Sequence, residues 1–129
     1  VGGIKTIPEV RTYVSVDGGM GDNIRPALYE SEYAVVPVDR PLAERNHTVT
    51  VAGKFCESGD VLARDVDLPE PETGELLALP ASGAYCLMMA SNYNMQTRPA
   101  VVLVNQGTSR LIRRRETYKD LLASSIDFD

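Results

Sequence analysis

A short segment bounded by glycines, GKFCESGD at residues 53–60, combines a thiol with two carboxylates. Cys56 and Glu57 are neighbours in this segment, so one ligand can meet both a proton donor and an anion. An ordinary thiol has a pKa of about 8.5 and is mostly protonated at neutral pH. Nucleophilic catalysis would need a nearby base, and the single histidine, His47, lies beyond a predicted strand. We therefore expect Cys56 to donate a proton, the alternative being a buried loop cysteine.

Two further segments carry groups that can bind a ligand, DNIRPALY at residues 22–29 and GAYC at residues 83–86, the latter soon followed by SNYN. Arg25 and Tyr29 lie four residues apart in the first segment, and Tyr85 lies in the second. A guanidinium binds a carboxylate through two hydrogen bonds, so Arg25 favours a negatively charged ligand. The structural alternatives are a surface arginine, a core-facing Tyr29 and a Tyr85 that is buried and hydrogen-bonded.

Three other residues with reactive or charged side chains are interpreted as mainly structural. Asp60 is expected to hold its loop by accepting backbone hydrogen bonds. Asp17 stands before two glycines, where a strand-ending turn explains it as well as contact with a substrate does. Cys86 is followed by apolar residues and is expected to be packed rather than reactive.

The composition of the 129 residues indicates one globular domain. A formal net charge of -5 argues against a nucleic-acid surface, which needs clustered Lys and Arg. No apolar run approaches the ~20 residues of a membrane span. The two cysteines lack Cys-x-x-Cys spacing, which favours a reduced, cytoplasmic setting, and with one histidine no metal is expected.

Alternating β-forming residues and turn signals predict a series of short strands. The predicted strands cover residues 11–16, 29–38, 48–53, 60–66, 75–79, 99–104 and 109–113. The last two should form a hairpin around the Asn-Gln-Gly sequence at 105–107. One or two helical turns are expected within 84–92, and a terminal helix over 116–124. Many close strands with little helix favour a mainly antiparallel β sandwich or barrel of the Greek-key kind.

The three motifs, in this order, resemble the C-terminal β domain of the diaminopimelate decarboxylase family. These are pyridoxal-phosphate enzymes of the alanine racemase and ornithine decarboxylase-like fold group. The resemblance implies that Cys56 is a catalytic proton donor and that Glu57 binds the distal amino group of the substrate. It also implies that Arg25 binds the second carboxylate, that Tyr29 is a further substrate ligand, and that Tyr85 contacts both substrate and cofactor.

The resemblance further implies that residues 1–129 are one domain of a longer enzyme. An N-terminal (β/α)8 barrel would carry the lysine that binds the cofactor covalently, and none of the three lysines here lies in such a motif. The chain is therefore expected to be an excised or processed fragment, inactive alone. The whole enzyme would convert meso-2,6-diaminopimelate to L-lysine and CO2 as a homodimer. The Cys56 loop would serve the partner subunit's barrel.

Two other interpretations remain open at this level. The same fold could act on ornithine or arginine, although an aspartate at position 57 and no arginine at position 25 would favour that reading. The chain could also be a non-catalytic β domain that binds a partner.

Overall fold

The computed structural model describes residues 1–126. The chain forms two compact units, one spanning Val1–Ala90 and a second that begins at Ser91. All five residues predicted to act at a site belong to the first unit, which is therefore the part that positions the candidate site.

The first unit contains six strands and two short helices. Its elements are β1 (Gly3–Ile7), β2 (Arg11–Ser15), α1 (Arg25–Tyr29), β3 (Val36–Pro37), β4 (His47–Ala52), β5 (Val61–Leu68), β6 (Leu77–Ala78) and α2 (Cys86–Met89). Four strands form one sheet in the order β1-β2-β4-β5, and β3 pairs with β6 in a separate small sheet. The β1–β2 and β4–β5 pairs are antiparallel, whereas β2 and β4 run parallel, with Val14 opposite Val51.

The hydrophobic core of this unit lies on the central strands. Val14 of β2, together with Val49 and Val51 of β4, is at most 1% exposed. These β-branched side chains suit a pleated surface. Thr50 is equally buried, and its hydroxyl accepts a hydrogen bond from the backbone N–H of Asp65 at 3.3 Å. Successive residues of β4 point to opposite faces of the sheet, and Val49, Thr50 and Val51 are all buried, so β4 is covered on both faces.

The second unit is built around a two-stranded hairpin. Its described elements are a short 3-10 turn (Tyr93–Met95), β7 (Val101–Asn105), β8 (Thr108–Arg113) and α3 (Tyr118–Leu121). Gln106 and Gly107 link the strands with φ angles of 47° and 74°. A two-residue loop with both φ angles positive matches the right-handed twist of paired strands. The predicted hairpin is thereby confirmed.

Several sequence predictions are confirmed and others are wrong. The mainly β character is confirmed, as are the strands at β2, β4 and β5 and the short helices at α2 and α3. The strand predicted over 29–38 is wrong for most of its length, because α1 ends at Tyr29 and only β3 forms further on. The strand predicted over 75–79 shortens to β6, and β1 was not predicted.

The four-stranded sheet is open and mixed rather than a closed barrel. The parallel β2–β4 pair requires a long crossover, and that connection contains α1 and β3. None of the helices in the described part of the chain has the length and apolar character to cross a membrane.

Candidate functional site

Three of the predicted site residues form one cluster. The guanidinium carbon of Arg25 lies 5.4 Å from the ring centroid of Tyr29 and 5.0 Å from that of Tyr85. The four-residue spacing places Arg25 and Tyr29 on the same face of α1. Tyr85 is the residue immediately before α2. We call Arg25, Tyr29 and Tyr85 the arginine cluster.

The arginine cluster presents its groups to solvent. Residues Tyr29 and Tyr85 are 58% and 62% exposed, so the core-facing and buried alternatives for them are wrong. Among residues 1–126, no carboxylate forms an ion pair with Arg25. Aromatic faces attract a cation and restrict its orientation. Arg25 is thus an oriented guanidinium whose hydrogen-bonding edge is available for an incoming anion.

The local sequence explains why a helix begins at Arg25. The side-chain Oδ1 of Asn23 accepts a hydrogen bond from the backbone N–H of Arg25 at 3.2 Å. Pro26 occupies the first turn, where its missing N–H costs nothing. Glu30 ends the helix in the left-handed conformation, with φ at 55°, and its N–H donates to the carbonyl of Pro26 at 3.1 Å.

The cysteine segment is a tight loop between β4 and β5. At its base, the N–H of Gly53 donates to the carbonyl of Asp60 at 2.9 Å. At its tip, Cys56 is exposed and has a free thiol, so the buried-cysteine alternative is wrong. Glu57 is also exposed, and its Oε1 accepts from the Ser58 hydroxyl at 3.2 Å. The loop therefore offers a thiol and a carboxylate on its outer surface.

The other cysteine has the packed role expected of it. Cys86 is 7% exposed at the start of α2, and its Sγ lies 3.8 Å from the hydroxyl of Tyr33. A thiol in that position is shielded from reagents and substrates.

Asp60 accepts backbone hydrogen bonds, as its position in the sequence predicted. Its Oδ1 accepts from the N–H of Met20 at 2.6 Å and its Oδ2 from the N–H of Phe55 at 2.7 Å. Asp17 is exposed, two residues beyond the end of β2. The structural interpretation of Asp60 is confirmed, while the role of Asp17 stays a prediction.

A second carboxylate lies beside this network. Burial raises the pKa of Asp22, while a hydrogen bond from the Gly19 N–H and the positive charge of Lys54 act in the opposite direction. The Gly19 N–H donates to Asp22 Oδ2 at 3.1 Å. Sequence reasoning missed Asp22 and the packing of Phe55; the available signal was the density of glycines at 18, 19 and 21.

The cysteine loop and the arginine cluster are neighbours but are not joined into one closed pocket. A Cβ atom placed on Gly59 would lie 3.9 Å from the Cβ of Ala27 in α1, which is where the two parts approach each other. A groove of about 730 Å³ between the segment from α1 to β3 and strand β5 has neither Cys56 nor any residue of the arginine cluster in its lining.

The chemistry of the exposed groups fits one wall of a site for a phosphorylated cofactor. The Tyr85 hydroxyl can donate a hydrogen bond and Arg25 beside it supplies positive charge. The lysines, Lys5, Lys54 and Lys119, are all exposed and lie outside the arginine cluster. The Lys54 ammonium lies 5.9 Å from the Phe55 ring centroid. These groups could hold one side of such a site.

An open sheet, an exposed cysteine loop and a tyrosine-flanked arginine together indicate the protein family to which this chain belongs. Residues 1–83 match the family model described as the C-terminal sheet domain of pyridoxal-dependent decarboxylases. The chain belongs to this family.

Individual proteins similar to this chain include several diaminopimelate decarboxylases. The diaminopimelate decarboxylase of Synechocystis sp. is 58% identical over 122 residues, which are 95% of this chain and 26% of the relative. That of Bacillus subtilis is 51% identical over 128 residues, 99% of this chain and 29% of the relative. The crystal structure of diaminopimelate decarboxylase from M. jannaschii in complex with L-lysine superposes with a TM-score of 0.90 at 42% identity, covering 98% of this chain and 29% of that one. The chain thus spans between a quarter and a third of the length of these proteins.

Proposed function

We propose that the full-length protein containing this chain is a pyridoxal-phosphate-dependent diaminopimelate decarboxylase. It removes CO2 from meso-2,6-diaminopimelate to give L-lysine, and this chain is its C-terminal β domain. The observation that carries the proposal is the arginine cluster, an exposed guanidinium flanked by Tyr29 and Tyr85 in a chain whose relatives bear that name.

Arg25 selects the substrate in this proposal. Diaminopimelate has a second carboxylate where ornithine has none, and a guanidinium fork binds that group in two places. The absence of an internal ion pair among the described residues leaves Arg25 available for it. Tyr29 is a second ligand for the same end of the substrate.

Cys56 and Glu57 act on the remaining groups. Glu57 binds the distal ammonium of the substrate, and the exposed Cys56 thiol gives its proton to the carbon that has lost CO2. The electron pair of the broken C–C bond then forms the new C–H bond, and solvent returns a proton to the thiolate. The enzyme therefore ends the cycle with the same number of protons as it began, and the proton of the new C–H bond comes ultimately from solvent.

The cofactor, when bound, supplies the electron sink that makes loss of CO2 possible. Tyr85 would help to hold the cofactor, with its hydroxyl donating a hydrogen bond to the phosphate. The cofactor-binding lysine belongs to an N-terminal barrel outside this chain, and for that reason this chain alone is inactive.

The proposed assembly is a homodimer. Arg25, Tyr29 and Tyr85 serve the site of their own subunit, and the loop with Cys56 and Glu57 reaches the site of the partner. The groove in the first unit has neither Cys56 nor the arginine cluster in its lining, which supports this division. A Greek-key sandwich arrangement of the complete domain is also part of the proposal.

An ornithine- or arginine-specific enzyme is the second candidate, and the presence of both Arg25 and Glu57 disfavours it. The deciding experiment is to express the full-length protein with pyridoxal phosphate and measure CO2 release from meso-diaminopimelate, L-ornithine and L-arginine. Selective turnover of diaminopimelate supports the proposal. Turnover of ornithine or arginine supports the second candidate, and a parent gene without a barrel supports a non-catalytic binding domain.

A further inference from the structure

The carboxylate of Asp60 joins two loops that lead to different site residues. Asp60 is 4% exposed, and its two oxygens accept from backbone N–H groups on separate segments. Met20, 2.6 Å from Oδ1, lies in the loop that precedes α1. Phe55, whose nitrogen is 2.7 Å from Oδ2, is the residue before Cys56. One buried carboxylate therefore contacts both the base of the cysteine loop and the loop that leads into α1, which carries Arg25.

Hydrogen bonds continue from this carboxylate toward Arg25. The N–H groups of Asp22 and Asn23 donate to the carbonyl of Gly19 at 2.9 and 3.0 Å, which closes a turn directly around Met20. The side chain of Asn23 then accepts from the N–H of Arg25 at 3.2 Å. The position of the first helical residue is thus tied to the turn that Asp60 holds.

Two backbone hydrogen bonds also fix the cysteine loop itself. The N–H of Gly53 donates to the Asp60 carbonyl at 2.9 Å, and the N–H of Lys54 donates to the carbonyl of Gly18 at 3.2 Å. The cysteine loop is therefore closed at its base and attached to the loop that follows β2.

Glycines make room for this close approach. A Cβ atom on Gly53 would lie 2.2 Å from Asp60 Oδ2, and one on Gly19 would lie 2.6 Å from Asp60 Oδ1. A Cβ on Gly21 would lie 2.4 Å from the Phe55 ring. By contrast, a Cβ on Gly59 in the same loop meets nothing closer than 3.9 Å. Gly53 and Gly59 form a matched pair, one required by the contact and one not.

We propose that Asp60 is a positioning residue that sets the Cys56–Glu57 loop against the segment carrying Arg25 and Tyr29. This inference rests on the proposed function. Asp60 touches no substrate; it acts through the N–H groups of Met20 and Phe55. An ionised carboxylate can accept from both, whereas an asparagine has one acceptor oxygen and would turn an NH2 group toward the other N–H.

The kinetic test uses full-length protein with Asp60→Asn, Gly53→Ala and Gly59→Ala. A shift of about 1 Å in catalytic groups costs on the order of 10²-fold in rate. We expect Asp60→Asn and Gly53→Ala to lower kcat and raise KM for meso-diaminopimelate, with kcat/KM falling about 10²-fold. Both parameters change because the loop carries the proton donor and a substrate ligand. Gly59→Ala should stay close to the unmodified protein.

A second readout does not depend on decarboxylation. Alkylation of Cys56 by iodoacetamide reports the loop directly, and the buried Cys86 is an internal reference. We expect Asp60→Asn and Gly53→Ala to change the Cys56 rate about fivefold or more, the factor associated with one lost hydrogen bond, at a temperature where all variants are folded. Hydrogen exchange on the unmodified protein should show the Met20 and Phe55 amides protected more strongly than that of Cys56.

The inference is overturned if both variants lower only the melting temperature while KM, kcat and Cys56 alkylation match those of Gly59→Ala. Rapid exchange of the Met20 and Phe55 amides overturns it too, even if a variant fails to fold. If the unmodified protein does not act on diaminopimelate, the proposed function fails by itself. Alkylation and exchange then still decide whether Asp60 positions the loop.

Discussion

The guanidinium carbon of Arg25 lies 5.0 Å from the ring centroid of Tyr85, although most of the first unit's sequence separates the two residues. The fold brings the start of α1 and the start of α2 together, while Tyr29 adds a second ring from the same helix as Arg25. Neither ring neutralises the charge of Arg25. The cation therefore stays available to a ligand while its orientation is restricted.

Replacement of Arg25 tests whether its guanidinium binds the second carboxylate of diaminopimelate. Arg25→Lys keeps the charge but loses the planar fork, and we expect KM for meso-diaminopimelate to rise roughly 10- to 10²-fold in the full-length enzyme, as for lost hydrogen bonds between charged groups. Arg64→Lys, at an exposed arginine of β5, is the matched control and should leave KM unchanged. Steady-state CO2 release measures both. An unchanged KM in Arg25→Lys would exclude the bidentate role.

The two parts of the Tyr85 side chain can be tested separately. Tyr85→Phe keeps the ring beside Arg25 and removes the hydroxyl, so we expect affinity for pyridoxal phosphate to fall about fivefold while KM for substrate is unchanged. Tyr85→Leu also removes the cation–π contact, worth about 0.5–1 kcal/mol at an exposed site, and should raise KM as well. Cofactor titration by absorbance and substrate kinetics distinguish the two. Equal increases in KM for both variants would contradict a separate role for the ring.

Local sequence signals predicted the parts of the fold that local interactions determine. The alternation in β4 and β5 and the turn at Gln106-Gly107 each identified an element from neighbouring residues. The β-forming residues Tyr33 and Val35 were misleading, because the chain leaves α1 through the left-handed Glu30 and pairs only at β3.

Long-range contacts were beyond the reach of such signals. The parallel pairing of β2 with β4 depends on a crossover, not on either strand's own sequence. The exposed cysteine loop was recognisable from its residue types, and so were Arg25, Tyr29 and Tyr85 individually. Their meeting in one cluster was implied only by the family resemblance and by no local signal, because it depends on how the fold brings the start of α1 to Tyr85.

Replacement of the two cysteines separates catalysis from packing. Cys56→Ala should lower kcat about 10²- to 10⁴-fold, the usual contribution of a positioned acid, with little change in stability because the thiol is exposed. Cys86→Ala removes a buried thiol and should lower the melting temperature while leaving kcat nearly unchanged. CO2 release and thermal unfolding of the full-length variants give both quantities. Normal turnover by Cys56→Ala would remove its role as proton donor.

The second unit should lose stability in acid through Glu116. Hydrogen bonds from the Arg98 side chain and backbone, with a further one from Asn92, lower the pKa of Glu116 to about 2 from an ordinary value of 4.5. Arg98 Nε lies 2.6 Å from its Oε1, and Arg113 contributes a second guanidinium at 3.3 Å.

Because the folded-state pKa is depressed, the stabilisation is complete above about pH 4.5 and is lost as the pH falls toward about 2. Glu116→Gln removes this titration. We expect the variant to be less stable than the unmodified chain at neutral pH and the difference in free energy of unfolding to shrink steadily through that interval. Urea unfolding at a series of pH values measures the difference, and its value near pH 7 provides the reference. A difference that stays constant down to pH 2 would show that the ion pairs with Arg98 and Arg113 do not stabilise the folded unit through the charge of Glu116.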